Sequence, residues 1–294
     1  MKGVSPCLHG TEISMQVRVG SEIIFNSAQE TPMVLLVHVH SSRAPDLIVP
    51  DHLNTDPAVP VHTYCDEFGN RCSRIVAPIG QIRLSTNGIV QDAGDPDVTN
   101  SVAEQHEVRD LPDDTLVFLR GSRYCETDLL AQAAWDLFCH TRPGWERVRA
   151  ICDYVHNYIT FNYQAARSTR TAWEVFNERI GVCRDFAHLA IAFCRCMNIP
   201  ARYCTGYLGD IGMPPPYDIM DFAAWIEVYL GGRWHMFDPR NNVPRYGRVL
   251  MARGRDAVDV AITTTFGQSA LVSFRVSTDE VVEAREPELA RAAT

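Results

Sequence analysis

Cys183 is the residue in this sequence with the clearest chemical setting. The apolar side chains that follow it recur at three- and four-residue steps, which predicts a helix that begins at about Cys183 and buries one broad face. Those side chains are Phe186, Leu189, Ala190, Phe193, Cys194 and Met197. The free N–H groups and the positive dipole end of a helix start favour a thiolate over a thiol, and they could hold an oxyanion. The sequence therefore predicts a nucleophilic thiol at position 183, suited to attack on a carbonyl.

Several segments around this cysteine form one pattern. They are Gly181-Val182-Cys183-Arg184-Asp185-Phe186-Ala187-His188-Leu189, Asn198-Ile199-Pro200-Ala201-Arg202-Tyr203, Thr205-Gly206-Tyr207-Leu208, Ala224-Trp225-Ile226-Glu227-Val228-Tyr229-Leu230 and Trp234-His235-Met236-Phe237-Asp238-Pro239. The pattern closely resembles the nucleophile helix and following strands of transglutaminase-like proteins, which have a papain-type cysteine fold. Residues 254–260 and the β-rich start resemble the bacterial branch of that family.

The resemblance implies a Cys–His–Asp triad that attacks a glutamine or peptide carbonyl. Matched by motif, Cys183 is the nucleophile and Asp238 is the carboxylate that orients the histidine. The family's histidine stands two residues before the Trp of the A-W-x-E-x-Y strand, and here that position is Ala223. The motif position of the general base therefore holds a side chain that cannot accept a proton.

Two groups near Ala223 and Asp238 are candidate substitute bases. Asp221 has the same strand parity as Ala223, so it would face the thiol if the strand extends that far. Its ordinary pKa makes it a weak base toward a thiol. His235 lies three positions before Asp238, and that odd separation points the two side chains to opposite faces unless a bulge intervenes.

Other histidines are further candidates. His188 lies five residues into the predicted helix and is turned by about 140° from Cys183, at roughly 100° per residue. That position is more typical of a core histidine than of a base. His38, His40 and His62 lie in the β-rich start and could approach the thiol across a domain interface.

Composition limits the partners and the compartment. The net charge of −9 opposes binding to nucleic acid or to an anionic membrane, and no stretch approaches the apolar length of a membrane helix. Residues 1–14 lack the apolar core of a signal peptide, so the ten cysteines are expected to be reduced thiols of a cytoplasmic protein. Two of them, Cys65 and Cys72, flank a predicted hairpin and are expected to be free. No cofactor or metal is expected, and the resemblance implies a peptide or protein substrate.

The order of patterns predicts an α+β protein. An all-β module is followed by the papain-type core, in which the nucleophile helix packs on an antiparallel sheet. A turn-rich, acidic stretch at 92–114 predicts the boundary between them. We expect a β-rich domain at 1–100, a transglutaminase-like core at 115–270, and a C-terminal strand and tail at 271–294.

Local signals also set helix boundaries near the cysteine. Thr171 and Glu174 fit a capping box, in which their side chains bind the first free N–H groups of a helix. That helix is expected to end near Gly181, where a glycine is available. The paired glycines Gly231-Gly232 predict a tight hairpin between two strands after the nucleophile helix.

Two functions are compatible with these residues. One is a cysteine acyl-transfer protein that hydrolyses amide or peptide bonds, or transfers the acyl group to an amine, through a Cys183 thiolate. The other is a catalytically silent member of the family that binds peptides or acts as a scaffold, because Ala223 has replaced the base. The reactivity of the Cys183 thiol distinguishes them.

Overall fold

The computed structural model describes residues 15–215, 217 and 220–282. The absence of a signal peptide in residues 1–14 and the tail beyond residue 282 are predictions that lie outside the described residues. Within them, no helix is long and apolar enough to cross a membrane.

The first part of the chain forms two antiparallel β-sheets around a shared apolar core. Its strands are β1 (Met15–Ser27), β2 (Thr31–Leu35), β3 (Leu47–Val49), β4 (Asn54–Asp56), β5 (His62–Cys65), β6 (Arg71–Ala77) and β7 (Gly80–Asp92). Alternate residues of β1 and β7 are buried, as expected for strands with one face on a core. The expected all-β module is confirmed.

β1 is one continuous strand that passes through Gly20. Both edges of β1 are paired along this stretch, and a Cβ at Gly20 would lie 3.1 Å from Ser277 Oγ and from the Thr86 carbonyl oxygen. Glycine is therefore present because the neighbouring strands come close, not because the chain turns.

The rest of the described chain contains the helices and a second group of strands. They are α1 (Thr127–Phe138), α2 (Trp145–Tyr158), β8 (Thr160–Phe161), α3 (Ala172–Glu178), β9 (Ile180–Gly181), α4 (Cys183–Cys196), β10 (Ala201–Tyr207), β11 (Ala223–Leu230), β12 (Arg233–Phe237), β13 (Val249–Gly254), β14 (Thr263–Thr265) and β15 (Ser269–Glu280). Strands β10 to β13 form an antiparallel sheet in the order β12-β11-β10-β13.

Helix α4 is buried against this sheet. Apolar side chains of α4, such as Phe186 and Leu189, share a core with alternate residues of β11, including Ile226 and Val228. The helix is buried along nearly its whole length, because α1, α2 and α3 pack on its other sides. This arrangement confirms the predicted α+β fold with the nucleophile helix on an antiparallel sheet.

The last two strands, β14 and β15, pair with strands of the β module. β14 pairs with β2, and β15 pairs antiparallel with β1 along its length, with Ile23 opposite Phe274. The five-stranded sheet of the β module therefore contains residues from both ends of the described chain.

The turn from β11 to β12 has the predicted form. Gly231 and Gly232 have φ values of 56° and 83°, which suit a two-residue hairpin of type I′. The two cysteines of the other predicted hairpin are free thiols, with Cys65 exposed and Cys72 buried.

The end of α3 differs from the prediction. The Thr171–Glu174 capping box is present, but the helix ends at Glu178, and Arg179 adopts the left-handed conformation with φ 57°. Gly181 is needed for a different reason, since a Cβ there would lie 2.6 Å from Asp185 Cβ. The glycine lets the first turn of α4 approach the chain that leads into it.

Candidate active site

The first turn of α4 is held by an acidic side chain. Asp185 Oδ2 accepts the N–H of Val182 at 2.9 Å and lies 3.2 Å from the guanidinium of Arg170. Asp185 is fully buried, and its negative charge suits the positive end of the helix dipole. These contacts fix Cys183 as the first residue of the helix.

Cys183 lies in a cavity of about 60 Å³ between the start of α4 and the start of β11. Its lining residues are Phe161, Tyr163, Cys183, Leu208, Asp210, Met220, Asp221, Phe222, Ala223, Ala224, Arg240, Asn241 and Arg245. The thiol is 4.0 Å from the carbonyl oxygen of Phe222 and can donate weakly to it. Cys183 is only partly buried as a residue, although its sulfur itself is largely removed from water.

The ionisation of Cys183 is opposite to the sequence expectation. Burial raises the pKa of the thiol to about 11, and the negative charge of Asp221 acts in the same direction. The backbone N–H of Ala224 on β11 and that of Arg184 at the helix start both lower the pKa, but they do not outweigh burial. The direction of this shift is opposite to the predicted one, because in the unliganded protein the removal of the sulfur from water raises the pKa more than the N–H groups lower it.

Asp221 and Ala223 lie in this cavity with Cys183. One carboxylate oxygen of Asp221 accepts the N–H of Phe222 at 2.7 Å, and burial raises the pKa of the group. Among the described residues, no basic side chain forms an ion pair with Asp221. The geometry thus places a carboxyl group beside the thiol, on the same side as the alanine at the motif position of the base.

Asp238 follows β12 directly and is buried behind the cavity. Its Oδ1 accepts the backbone N–H groups of Arg240 and Asn241 at 3.1 and 2.9 Å. Its Oδ2 accepts from Asn241 Nδ2 at 2.7 Å and from the guanidinium of Arg248 at 2.9 Å. Burial alone would raise the pKa of Asp238, but the Arg248 charge and the Asn241 hydrogen bonds lower it overall. Both oxygens that could orient a histidine are already occupied.

His188 and His235 are not brought to the cavity. His188 is buried between the rings of Tyr124 and Tyr203, each 5.1 Å away, and its Nε2 accepts the N–H of Ala257. His235 packs edge-on against Trp145 at 5.5 Å. Burial lowers the pKa of both imidazoles, so both are neutral at pH 7. Neither lines the cavity that contains Cys183.

The histidines of the β module have structural contacts of their own. His38 bonds to the Asp51 carbonyl and to Ser73, and His40 bonds to Ser42 and to the Phe68 carbonyl. His62 is exposed on strand β5. No described histidine lines the Cys183 cavity.

Sequence reasoning missed four polar residues of this site. Arg240 lies over the Phe161 ring at 4.4 Å, and Arg245 bonds to the Gly209 carbonyl and to Asp210. Asn241 accepts from Arg245 while donating to Asp238, and Arg248 neutralises Asp238. Only Asn241 had a local signal, since it follows Asp238-Pro239 at turn spacing. No group of three or more His, Cys, Asp or Glu residues in the described ranges could hold a metal ion.

Comparison with known proteins shows a family match over the part of the chain that forms this site, and a similar solved structure. A family model described as the transglutaminase-like superfamily matches residues 138–239, which carry both Cys183 and Asp238. The solved structure of a proposed cysteine protease from Cytophaga hutchinsonii is 31% identical, with a TM-score of 0.81 and coverage of 93% of each chain.

Two other proteins are similar in sequence. A Mycobacterium leprae protein is 23% identical over 248 residues, which are 81% of this chain and 84% of that protein. The human kyphoscoliosis peptidase is 28% identical over 141 residues, which are 46% of this chain but only 20% of the peptidase.

Proposed function

The chain belongs to the transglutaminase-like superfamily, and we propose that its cleft binds a peptide-type ligand and that Cys183 is a neutral thiol in the unliganded protein. The main support for this proposal is the lining of the cavity, which among the described residues contains Ala223 at the motif position of the base and no histidine. The pKa of Cys183, raised to about 11 by burial and by Asp221, agrees with it. At pH 7, forming the thiolate would cost about 5 kcal/mol, since each pKa unit corresponds to 1.36 kcal/mol. On this proposal the protein is a member of the family that binds ligands and, in its unliganded state, has no thiolate nucleophile.

The described residues of the cavity include no suitable proton acceptor, which supports the same proposal. Ala223 stands where the base would be, and the two carboxyl groups, Asp210 and Asp221, are far weaker bases than a thiolate. Asp238 is bonded to Asn241 and Arg248, so it has no oxygen left to orient an imidazole. Loss of a triad's base typically costs several orders of magnitude in rate.

A second candidate function is slow acyl transfer to water or an amine. The backbone N–H groups of Ala224 and Arg184 act on the sulfur, and donors at that place could bind the oxyanion formed when a carbonyl is attacked. The similar proteins described as a protease and a peptidase are consistent with this reaction. Here Asp221 would have to take the thiol proton.

The pH dependence of thiol alkylation separates the two. We would measure iodoacetamide labelling of Cys183 by peptide mass spectrometry, with the exposed Cys65 in the same chain as the reference. A neutral thiol should label at a rate that still rises about tenfold per pH unit at pH 9. A plateau below about pH 8, lost in Cys183→Ala, would overturn the binding proposal in favour of catalysis.

Ligand binding needs its own measurement. Fluorescein-labelled casein peptides should show increased anisotropy with the wild-type protein, and Ala223→Trp should reduce the effect by filling the cavity. Acyl adducts on Cys183 should be missing from mass spectra of the same mixtures. Covalent adducts would support acyl transfer instead.

We also propose that the protein works in a reducing compartment such as the cytoplasm. The described cysteines are all free thiols, and several are buried in the core. Trapping cells with N-ethylmaleimide before lysis should modify every thiol of the denatured chain. A disulfide found in that protein would contradict the proposal.

A further inference from the structure

We propose that the Cys183 cavity accepts an imidazole group from its ligand, such as the histidine side chain of a peptide, which fills the space beside Ala223 and is held by Asp221. The imidazole would take the proton of Cys183, so that the ligand itself supplies the missing base. This inference rests on the proposed function, because it requires a thiol that is neutral until the ligand arrives.

The cavity has the right size for a five-membered ring. One buried water needs about 10–15 Å³ of such space, so the observed volume of about 60 Å³ has room for roughly five non-hydrogen atoms. Ala223 contributes only a methyl group to the wall, and apolar side chains such as Phe222 and Met220 line the same space. The walls therefore suit a flat, neutral ring that enters without a charge.

The charges around the cavity favour a cation once the ring is inside. Asp221 is partly buried and has no ion pair within the described residues, and one of its carboxylate oxygens accepts the N–H of Phe222. An uncompensated carboxylate in such a place is stabilised by a partner of opposite charge. The arginines of the cavity point elsewhere: Arg240 lies on Phe161 and bonds to Asn241, and Arg245 bonds to Asp210 and Asn241.

Imidazole fits these conditions better than an ammonium group. Its ordinary pKa is near neutrality, so it can arrive uncharged and still accept a proton. An ammonium is already protonated and could only neutralise Asp221. In the proposed step the S–H bond of Cys183 breaks and an N–H bond forms on the ring, which leaves a thiolate and an imidazolium.

The products of that transfer would each have a partner. The second ring N–H of the imidazolium can donate to Asp221, which would then orient the ring. Asp238 cannot do so, because its carboxylate is already bonded to Asn241 and Arg248. The backbone N–H groups of Ala224 and Arg184 remain at the sulfur, where they stabilise the thiolate. The negative charge of Asp221, which opposes ionisation in the empty cavity, would support it in the occupied one.

The test is the effect of free imidazole on Cys183 alkylation at pH 7. We expect the rate to increase with imidazole and to saturate at a value at least about tenfold higher, which is a modest part of the roughly 10²–10⁴-fold that a positioned base contributes. Cys65 should show no saturable increase. The pH dependence of Cys183 labelling without imidazole tests the proposed function, whereas the saturable increase with imidazole tests this inference. The two can therefore fail separately.

Variants and a larger ligand provide the controls. Ala223→Leu should remove the saturable increase by filling the ring's place. Asp221→Asn should raise the labelling rate of Cys183 in the absence of imidazole. The same variant should reduce the increase that imidazole causes, so the two measured rates should change in opposite directions. 2-Phenylimidazole, which has the same ring but does not fit, should have no saturable effect on the wild-type protein. Equal increases with both imidazoles, or at both cysteines, would overturn the inference without any variant.

Discussion

The guanidinium of Arg248 joins the buried carboxylate of Asp238 to the segment before the helices: one nitrogen lies 2.9 Å from Asp238 Oδ2 and 3.0 Å from Asp97 Oδ2. The same guanidinium lies 4.7 Å from the centre of the Trp225 ring. The carboxylate that the family uses to orient a histidine is thus part of a structural ion pair in this chain.

Removing the Arg248 charge should destabilise the fold strongly. In Arg248→Met the Asp238 carboxylate keeps its Asn241 and backbone hydrogen bonds but loses its buried counter-ion. We expect the free energy of unfolding to fall by about 4 kcal/mol. The measurement is denaturant unfolding. Arg142→Met is the matched control, because the exposed Arg142–Glu146 pair should contribute about 0–1 kcal/mol. Equal losses in the two variants would contradict the structural role of the pair.

Asp238 should also make the protein sensitive to acid. Its folded pKa is lowered, so its contribution to stability is present above the unfolded pKa of about 4 and is lost as the pH falls through the folded pKa. Urea unfolding should show stability decreasing below about pH 4, less steeply in Asp238→Asn than in the wild type. Identical slopes would mean that Asp238 is not held as a carboxylate.

Asp221 should have the opposite effect on stability. Its folded pKa is raised by burial, so it favours folding below the unfolded pKa and loses that contribution as the pH rises through the folded pKa. Asp221→Asn should therefore raise the Tm at pH 7 and leave it nearly unchanged at pH 3. Asp210→Asn is the control, since Asp210 pairs with Arg245 and its loss should not stabilise the fold. A lower Tm for Asp221→Asn at pH 7 would show that Asp221 has a favourable partner.

Gly181 should tolerate no side chain. Gly181→Ala would place a Cβ 2.6 Å from Asp185 Cβ and 2.7 Å from its Oδ2, and such overpacking costs about 1–3 kcal/mol. Thermal unfolding of Gly181→Ala, Asp185→Ala and the double variant tests the contact. The double variant should lose less stability than the sum of the single variants, because the contacts with Oδ2 and Cγ of Asp185 disappear with the carboxylate and only the Cβ contact remains. Simple additivity would contradict the geometry.

Asn241 should limit how much a histidine introduced at position 223 increases the reactivity of Cys183. Ala223→His places an imidazole in the cavity, so alkylation of Cys183 at pH 7 should increase by about tenfold or more. Adding Asn241→Ala should increase it further, because Asp238 Oδ2 would lose the Asn241 Nδ2 donor at 2.7 Å and could orient the ring. A double variant no faster than Ala223→His would show that Arg248 alone blocks that role.

The parts of the structure that depend on local pattern were predictable. The repeat of apolar residues after Cys183 gave the start of α4, and Gly231-Gly232 gave the hairpin between β11 and β12. Each depends on residues close in sequence, whose periodicity is read directly.

The parts that depend on distant residues were not predictable. The pKa of Cys183 depends on how tightly the start of β11 covers the helix start, and a helix N-terminus alone predicts the wrong direction. The Arg248–Asp238 pair is formed by a loop residue with no motif of its own. Gly181 looked like a helix end because the approach of Asp185 is visible only after folding.

The pairing of β15 with β1 has a consequence for synthesis on the ribosome. Residues near position 20 have their antiparallel partners near position 277, so one edge of that strand stays unpaired until almost the whole described chain has been made. An open edge of eleven residues is a template for pairing with other chains. Truncation before residue 269 should therefore yield aggregates rather than a smaller soluble domain, even though every residue of the cavity would still be present.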